Sequence, residues 1–485
     1  MNDYVFNQNA TQMKKQENVG VNDLEPFIMT LKNLGAKNLA KQVLDVFAKN
    51  AFSFEQQDNI SKCYFKLQHY EEAIKHGEKA LVNAHNPQLM YVTRFNLINL
   101  YNHNNCPEKA LTYINANEKL IPMDYDLQLE KAYALFLSNR KTEAEEILHH
   151  VLANYKELPE ETALKIKFNL GTYYLYRDKF QEGLRHFILD GAKMRLWNCE
   201  TIFSRNKKLN LPFWEGSPDV KNLVIYAEAG SGDEVINIRF MKHLKERGIN
   251  AYWYAVWHKE EWKNERKGLL EIFKNSGFPV ITNLEELKDI PDLKWTYSMH
   301  LPIYLNLEYK DLWDKPYISS SKEYDDKCKL GGKSPKIGIR YQGCPAYDHN
   351  LHRSFKVKEL YEVLKDVDGT FYSLQRDNGL EEIKDFPNLI DLSEKMDSFQ
   401  ETLGFIQSLD FVITSCTSIA HLCAASGKEV FVMVPISAYY VWSHSGDKSP
   451  WYGDNVTLLR QEKPRCWKAP LEKLKKILFD KKLLK

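Results

Sequence analysis

The chain has 485 residues, enough for about two to four domains that each bury their own core. Its composition, 44% hydrophobic and 27% charged, is typical of a globular protein in water. A formal charge of +1 disfavours a nucleic-acid binder, which needs a broad basic surface. The sequence offers no signal-peptide core and no apolar run near the roughly 20 residues that span a bilayer, so we expect no transmembrane insertion.

The cysteines and the N-terminus favour a protein of the cytoplasm. The eight cysteines are scattered and form no C-x-x-C pair, which favours reduced thiols over a disulfide framework or a zinc site. We therefore expect a cytoplasmic protein, with peripheral contact at the inner membrane face as the alternative. Residues 1–24 are predicted to be a partly disordered extension.

Residues 25–205 are predicted to form a solenoid of helical hairpins like tetratricopeptide (TPR) repeats. A small residue recurs near the start of the second helix of each hairpin, at spacings of 33, 37, 34 and 39 residues: Ala40, Ala73, Ala110, Ala144 and Gly183. A period near 34 with a small residue after the turn is the signature of such hairpins. Stacked hairpins bury a common core and leave a concave face that binds peptides, partner proteins or further copies of the chain.

One acidic pair in this region has two interpretations. Asp124 and Asp126 in the stretch MDYD have the spacing used by metal-dependent sugar transferases. They lie between predicted helices and follow no apolar strand, so the sequence favours a turn or a helix cap.

From about residue 223 the pattern changes to short apolar strands that alternate with helices. The predicted strands cover residues 223–227, 251–257, 336–343, 370–375, 388–393, 410–415, 429–435 and 456–461. Such a pattern predicts a parallel sheet covered on both faces. The polar stretch 319–335 divides the region, so we expect two Rossmann-like halves, residues 215–325 and 333–485, that face a cleft.

The loop after the first of these strands, EAGSGDE at 228–234, is rich in glycine. The dinucleotide fingerprint G-x-G-x-x-G would need a glycine where Val235 stands, so the loop does not match it. Two carboxylates at its end would also repel a phosphate. Asp233 is expected to cap a helix that begins at Glu234, a role that does not exclude catalysis.

Two loops of the second half are better suited to an anion. Strand 410–415 is followed by Cys416, Thr417 and Ser418 at the start of a helix that also carries Ile419 and His421. Amides at a helix start bind anions, although an ordinary Ser/Thr cap is the alternative. A cysteine–histidine nucleophile is disfavoured, because no further group orients the histidine.

The other loop, residues 338–355, concentrates positive charge. It contains Arg340, His349, His352 and Arg353, and a guanidinium can hold two phosphate oxygens at once. Gln375 and Arg376 end the next strand, where they could contact a base or a ribose. A solvated surface loop is the alternative for this segment.

Taken in order, these motifs resemble those of TPR-linked glycosyltransferases whose catalytic region is similar to the heptosyltransferases, glycosyltransferase family 9. The resemblance rests on AEAGSGDEVINIRFMKHLKERG, GIRYQGCPAYDHNLHRSF, FYSLQ, LDFVITSCTSIAHLCAASGKEVFVMVP and SPWYGDNVTLLRQ, and it covers residues 210–485. It implies a GT-B fold and a metal-independent, inverting transfer from a nucleotide-diphosphate sugar to a protein, glycan or lipid acceptor.

The resemblance also implies site residues. Asp233 is the expected general base, and Gly230, Ser231 and Gly232 form the loop on the acceptor side. The donor or its phosphates would contact Arg340, Arg353, Gln375, Cys416, Thr417, Ser418, Ile419 and His421, with no metal ligand and no cofactor beyond the nucleotide sugar. Cys416 stands where heptosyltransferases have an aspartate, which leaves the identity of the sugar open.

Elementary chemistry agrees with these roles. A sugar hydroxyl is a poor nucleophile and needs a carboxylate to take its proton. A helix start and an arginine can stabilise the leaving diphosphate without a metal. A base and a phosphate site on opposite halves would keep the two negative centres apart until the cleft closes.

Two further interpretations of the chain stay open at this point. It could be a scaffold whose transferase region has lost turnover, or an epimerase or hydrolase of nucleotide sugars. Tyr439, Tyr440 and Trp442 would either stack on the ligand or pack in the core. The last helix, with Leu471 and Leu474 on one face, is expected to pack on the fold.

Overall fold

In a computed structural model the chain is described over residues 21–117, 124–155, 157–193, 211–255, 266–344, 350–376 and 378–484. It divides into two compact units, residues 1–155 and 156–485. Most of the predicted extension lies outside the described residues, as does most of the segment around 205–215 where the repeats were expected to end. Those boundaries stay predictions.

The first unit is built from helices that pack on their neighbours in sequence. They are Val21–Asn33 (α1), Lys37–Lys49 (α2), Phe54–Lys66 (α3), Tyr70–Asn83 (α4), Pro87–His103 (α5), Pro107–Ala116 (α6), Tyr125–Leu137 (α7) and Lys141–Asn154 (α8). The small residues predicted to open each second helix lie in α2, α4, α6 and α8 and are fully buried. The helical array expected from the spacing is therefore confirmed.

A second periodic feature marks the turn of each hairpin. A residue with left-handed backbone precedes each small residue by five positions: Gly35, Gln68, Asn105, Asn139 and Asp178, with φ of 78°, 64°, 57°, 60° and 59°. A chain that leaves one helix and enters the next through so short a turn needs one such residue. Asparagine and aspartate tolerate this conformation better than other side chains.

The fifth hairpin belongs to the second unit. It consists of Glu160–Tyr176 (α9) and Phe180–Leu184 (α10), which continues as a π-helical segment, Arg185–Asp190. The ring of Phe180 lies 4.4 Å from that of Tyr309 and 5.5 Å from that of Trp451, measured between centroids. The Gln181 amide donates to the carbonyls of Pro302 and Leu307 at 2.9 and 2.5 Å. This hairpin is thus packed against the α/β region.

The first sheet of the α/β region has four parallel strands. They are Asn222–Tyr226 (β1), Asn250–Tyr254 (β2), Val280–Ile281 (β3) and Leu293–Tyr297 (β4), in the order β3-β2-β1-β4. Its helices are Ser231–Asn237 (α11), Phe240–Glu246 (α12), Leu269–Asn275 (α13), Leu301–Tyr304 (α14) and Lys322–Lys327 (α15), with 3-10 turns at Leu284–Leu287, Ser298–His300 and Tyr309–Asp311. Strands β3 and β4 were not predicted.

The second sheet has six parallel strands. They are Lys336–Arg340 (β5), Thr370–Ser373 (β6), Leu389–Asp391 (β7), Phe411–Ser415 (β8), Val430–Val434 (β9) and Val456–Arg460 (β10), in the order β10-β9-β8-β5-β6-β7. Its helices are Asn350–Arg353 (α16), Val357–Leu364 (α17), Phe399–Ser408 (α18), Ser418–Ala425 (α19) and Lys468–Asp480 (α20), with 3-10 turns at Leu380–Asp385, Ser393–Lys395 and Tyr440–Trp442. This is the strand order of a Rossmann fold.

The two sheets share one apolar core. A single cluster of buried side chains includes Ile225 and Trp253 from the first half together with Val432 and Trp442 from the second. The predicted pair of Rossmann-like halves is therefore confirmed, and the halves are packed against each other. In the last helix, Leu471, Leu474 and Leu478 are buried against the second sheet, as expected from its apolar face.

Two expectations from the sequence concern membrane-spanning helices and disulfides. None of their helices has both the length and the apolar character to cross a membrane. None of the seven described cysteines forms a disulfide. Cys199 lies outside the described residues.

Gly183 gives a test of the hairpin packing. A Cβ atom there would lie 2.6 Å from Cγ and 2.8 Å from the backbone nitrogen of Leu175. Helix propensity alone favours alanine over glycine by about 1 kcal/mol, but overpacking of a rigid contact costs about 1–3 kcal/mol. We expect Gly183→Ala to lower the free energy of unfolding of the second unit.

All ten tryptophans of the chain follow residue 155, so urea unfolding followed by tryptophan fluorescence reports on this unit. Gly331→Ala is the matched control, because a Cβ there would meet no atom within 4 Å. Equal stability of the two variants would contradict the packing argument.

Candidate functional site

The predicted site residues lie where the strand order of each sheet reverses. Residues 228–234 follow β1, which has β2 on one side and β4 on the other, and residues 416–421 follow β8, which pairs with β5. Ligands of open α/β sheets bind at the carboxyl ends of strands, at these reversal points. The topology therefore brings the loop predicted for the acceptor and the helix start predicted for the donor to the sheet edges that suit ligands.

The loop before α11 has strained backbone. Ala229 has a φ of 67°, a conformation that is costly for a residue with a Cβ. Helix α11 begins at Ser231 rather than Glu234, with Gly230 as its N-cap. The expected start of the helix was wrong, and Asp233 occupies the third helical position. There its Oδ2 accepts the N–H of Gly230 at 3.0 Å.

A buried ion pair stabilises the loop that precedes α11. Glu234 is fully buried and forms a salt bridge with Arg266, which also donates through Nη2 to the carbonyl of Ala229 at 2.6 Å. Burial raises the pKa of Glu234, and the guanidinium of Arg266 opposes that rise. The same arginine therefore satisfies the carboxylate and fixes the strained residue.

The other oxygen of Asp233 is held by the second half of the region. The hydroxyl of Tyr439, in the loop after β9, donates to Oδ1 of Asp233 at 2.5 Å. Gly230 and Tyr439 thus each donate one hydrogen bond to a different oxygen of the carboxylate. Sequence analysis placed Tyr439 in the core or against the ligand; its link to Asp233 was missed.

The start of α19 carries hydroxyl groups without a partner. Thr417 is the N-cap, yet its side chain makes no cap hydrogen bond. Its buried Oγ1, like the Oγ of Ser415, has no hydrogen-bond partner among the described residues. Buried hydroxyls normally have one, so their state here is suited to a ligand that approaches the helix start.

Arg353 lies beside this helix start. Its Nη1 donates to the carbonyl of Cys416 at 3.0 Å and its Nε to Asn350 at 3.2 Å. The guanidinium passes over Gly343, where a Cβ would lie 2.3 Å from Nη2. Arg353 thus joins the loops after β5 and β8, and a side chain at Gly343 would require its guanidinium to shift. Burial raises the pKa of the Cys416 thiol, which disfavours a nucleophilic thiolate.

The acceptor-side loop and the donor-side helix are in contact. A Cβ on Gly232 would lie 3.2 Å from Cδ2 of His421 and 3.6 Å from Cα of Ser418. The first turns of α11 and α19 therefore meet in the structure. Gly232 is the residue that allows this approach, because it has no side chain.

His421 is buried in an aromatic setting. Its ring stacks on Trp442 at 4.9 Å and 8°, and its Nδ1 shares a hydrogen bond of 2.8 Å with the hydroxyl of Tyr452. Burial, with the nearby charges of Arg239 and Arg353, lowers the pKa of His421 to about 3. The imidazole is therefore neutral at physiological pH and presents no fixed positive charge to a phosphate. Trp442 is fully buried, as is Tyr440, so both pack in the core.

Arg239, which sequence analysis missed, lies at the centre of this region. It is fully buried and donates to the carbonyls of Ile236 and Trp451 and to the hydroxyl of Tyr317. Its guanidinium lies 4.3 Å from the ring centroid of Tyr452. An arginine inside the apolar run VINIRFM is the signal that could have identified it, since a buried charge is rare without a specific role.

The remaining predicted residues are more dispersed. Arg340 donates to the carbonyl of Leu374 at 2.9 Å, on the side of β5 opposite β8. The buried amide of Gln375 binds the backbone of Gln342 and Asn378, so it joins two loops. Direct contact of either residue with a donor stays a prediction. His349 lies outside the described residues, and Ile419 is buried in α19.

Side chains that could bind a metal ion are not clustered in the described part of the chain. No group of three or more His, Cys, Asp or Glu side chains there could hold an ion. Asp124 caps α7 by accepting the N–H of Leu127 at 2.9 Å and also accepts from Tyr91. Its interpretation as a cap is confirmed.

Comparison with known proteins finds relatives only among solved structures. No family model and no curated protein matches the chain. It is similar to ADP-heptose lipopolysaccharide heptosyltransferase II of E. coli, with 15% identity, a TM-score of 0.34 and coverage of 54% of this chain and 100% of the other. A glycosyl transferase of family 9 from Veillonella parvula gives 12% identity, a TM-score of 0.35 and coverage of 56% and 92%.

The helical region has its own neighbour. YrrB, a TPR protein with an unusual peptide-binding site, gives 16% identity, a TM-score of 0.24 and coverage of 41% of this chain and 97% of the other. With scores this low, the fold rests on the strand orders above, and function must be argued from the side chains of this chain.

The pKa of His421 gives a test of the buried site. Its value of about 3 in the folded chain, against an ordinary 6.5, means that the unfolded chain binds the extra proton first as pH falls. Stability should therefore decrease as pH falls below 6.5, by up to about 1.4 kcal/mol per pH unit from this group. We expect His421→Gln to flatten that dependence.

Tryptophan fluorescence in urea at a series of pH values measures the slope for the second unit. His85→Gln serves as control, because His85 is exposed. The same slope in wild type and His421→Gln would show that His421 is not buried in its neutral form.

Proposed function

We propose that the chain is a glycosyltransferase that moves a sugar from a nucleotide-diphosphate sugar to an acceptor hydroxyl. The observation that carries this proposal is the contact between two loops of opposite chemistry. Asp233 stands on one of them, and the other has the unpartnered Thr417 hydroxyl beside Arg353. Gly232 lies against His421 and Ser418 where the loops meet.

Asp233 has the properties that a general base for a hydroxyl requires. Its carboxylate is half-buried and oriented by Gly230 and Tyr439, one on each oxygen. A base held in this way can take the acceptor proton as the new bond forms, and a positioned base contributes about 10²–10⁴-fold to rate. Glu234 is unsuited to this role because it is buried and paired with Arg266.

The start of α19 and Arg353 are the groups proposed to stabilise the leaving diphosphate. The amides of the helix start favour negative charge, and the Thr417 hydroxyl can donate to a phosphate oxygen. A guanidinium adds charge-assisted hydrogen bonds that strengthen as the bond to the sugar breaks. Because these groups supply the positive potential, we propose that transfer needs no divalent metal.

The placement of base and phosphate site favours inversion at the reacting carbon. Base and leaving group would approach the sugar from the two loops, as an in-line displacement requires. The donor would lie on the second half and the acceptor on the first. We propose that the repeats bind the acceptor or a partner protein, and that the reaction takes place in the cytoplasm, with association at the inner membrane face as the alternative.

Removal of the base charge is the central test. Asp233→Asn should reduce sugar transfer about 10²–10⁴-fold and leave donor affinity nearly unchanged, because an amide can still accept from Gly230 and meet the Tyr439 hydroxyl. Donors are first sought by thermal shift with a panel of nucleotide sugars. Release of nucleoside diphosphate is then measured in EDTA with an acceptor-rich lysate.

Asp289→Asn is the control, since Asp289 is exposed and distant in sequence from the loops. Failure of every donor to bind would overturn the proposal. Donor binding without turnover in wild type would support a scaffold with a degenerate transferase region. Full activity of Asp233→Asn would remove Asp233 as the base, and loss of activity in EDTA alone would contradict metal independence.

Arg353 gives a separate test of the phosphate site. Loss of a charge-assisted contact of about 1.5–3 kcal/mol predicts that Arg353→Ala weakens binding of the nucleoside diphosphate about 10–100-fold. Arg353→Lys should recover part of the loss, because a lysine keeps the charge without the fork of donors.

Isothermal titration with the nucleoside diphosphate measures both variants. Arg465→Ala is the control, since it removes an exposed arginine of the same half. Unchanged affinity in Arg353→Ala would place the phosphates elsewhere.

A further inference from the structure

The side chain that holds Asp233 across the two halves is itself held by the fifth helical hairpin. Tyr439 donates to Oδ1 of Asp233 at 2.5 Å. Its ring meets that of Phe187 edge to face, with centroids 6.3 Å apart and planes at 80°. Phe187 also packs on Tyr440 at 5.4 Å. Aromatic pairs of this geometry are directional contacts.

The local structure of the hairpin places Phe187 against Tyr439. Phe187 lies in the π-helical segment Arg185–Asp190, and single π-helical turns occur frequently at functional sites. The ring stacks on Phe168 of α9 at 4.7 Å and 25°. A Cβ on Gly171 would lie 2.6 Å from the Phe187 nitrogen, so α9 can approach this turn only because it has a glycine there. Phe187 is therefore packed from both sides.

We propose that Phe187 is a positioning residue for the base: it seats Tyr439, and the Tyr439 hydroxyl orients the carboxylate of Asp233. The inference rests on the role of Asp233 proposed above. Phe187 belongs to the last hairpin of the repeat pattern, so a helical repeat would contribute to the chemistry of the transferase in addition to any binding. Tyr439 donates to the ionised carboxylate and stabilises that form, while the aromatic contact limits its rotation.

Glu234, Tyr440 and His421 are titratable groups near Asp233 among the described residues. Glu234 on the same helix is paired with Arg266. Burial raises the pKa of Tyr440 well above its usual value, and the charge of Asp233 adds to that rise. His421, across Gly232, is neutral. A change in the pH dependence of the base that appears in Tyr439→Phe, but not when a hydroxyl is removed elsewhere in the same unit, would report on Tyr439.

The test compares Tyr439→Phe, which keeps the ring and removes the hydroxyl, with Phe187→Leu, which keeps the hydroxyl and removes the aromatic contact. We expect Tyr439→Phe to move the acid limb of the kcat profile, followed between about pH 4.5 and 8.5, upward by about one pH unit. The sign follows because the carboxylate loses a donor to its charged form. Phe187→Leu should move the limb in the same direction by less, with donor Kd unchanged in both.

Hydrogen exchange of the peptide that contains residues 228–238 gives a readout that needs no turnover. We expect both variants to exchange faster there. Tyr372→Phe is the matched control: it removes a hydroxyl that donates to the carbonyl of Gly331 at 2.9 Å, and neither the acid limb nor the exchange of 228–238 should change.

The outcomes separate this inference from the proposed function. Wild type without sugar transfer would overturn the proposed function, and hydrogen exchange alone would then decide whether Phe187 and Tyr439 hold the Asp233 loop. With active wild type, an unmoved acid limb and unchanged exchange in Tyr439→Phe would overturn the inference. A shift in Tyr439→Phe with no effect in Phe187→Leu would remove Phe187 from the chain of contacts.

Discussion

The arrangement of the two halves depends on the hydrogen bonds and ring contacts of one buried group, the guanidinium of Arg239. It stands on the first half, between α11 and α12, and donates to the carbonyl of Trp451 on the second. The described residues give it no carboxylate partner, so its charge is compensated by carbonyls, the Tyr317 hydroxyl and aromatic faces. A buried charge is costly unless such groups surround it. The halves must therefore keep the relative position that completes this set.

The charge of Arg239 also affects the protonation of the site. Burial and the charges of Arg239 and Arg353 keep His421 neutral, so the positive charge of the site is carried by the arginines. The neutral ring of His421 lies between Trp442 and Gly232. On the other side, Glu234 and Arg266 satisfy each other and hold Ala229 in its strained conformation. Asp233, in the first turn of the same helix, is a half-buried carboxylate. The buried charges of Arg239, Arg266 and Glu234 thus determine which charged groups remain accessible to a ligand.

Sequence analysis predicted the elements whose causes are local. The spacing of small residues located the hairpins, and apolar runs located eight strands, because close helix contact and burial on both faces leave direct marks on composition. Strand β4, LKWTY, was missed because an edge strand carries polar residues on its exposed side; β3 has only two residues. Asp233 was assigned as the base through the family resemblance of its glycine-rich loop, and that role stays a prediction. Tyr439 and Arg266 were not assigned to it, because their contacts join residues 206 and 32 positions apart and no local pattern specifies such a pairing.

The membership of the fifth hairpin in the second unit has a consequence for how the chain can be divided. A fragment that began at the first strand would expose Tyr309, Trp451 and Tyr440, whose rings are covered by Phe180 and Phe187. Uncovered aromatic surface of this kind favours aggregation. The smallest piece that could be exchanged between proteins as an independent α/β module therefore starts near residue 156. In evolutionary terms the fifth hairpin would be inherited together with the two sheets that it covers.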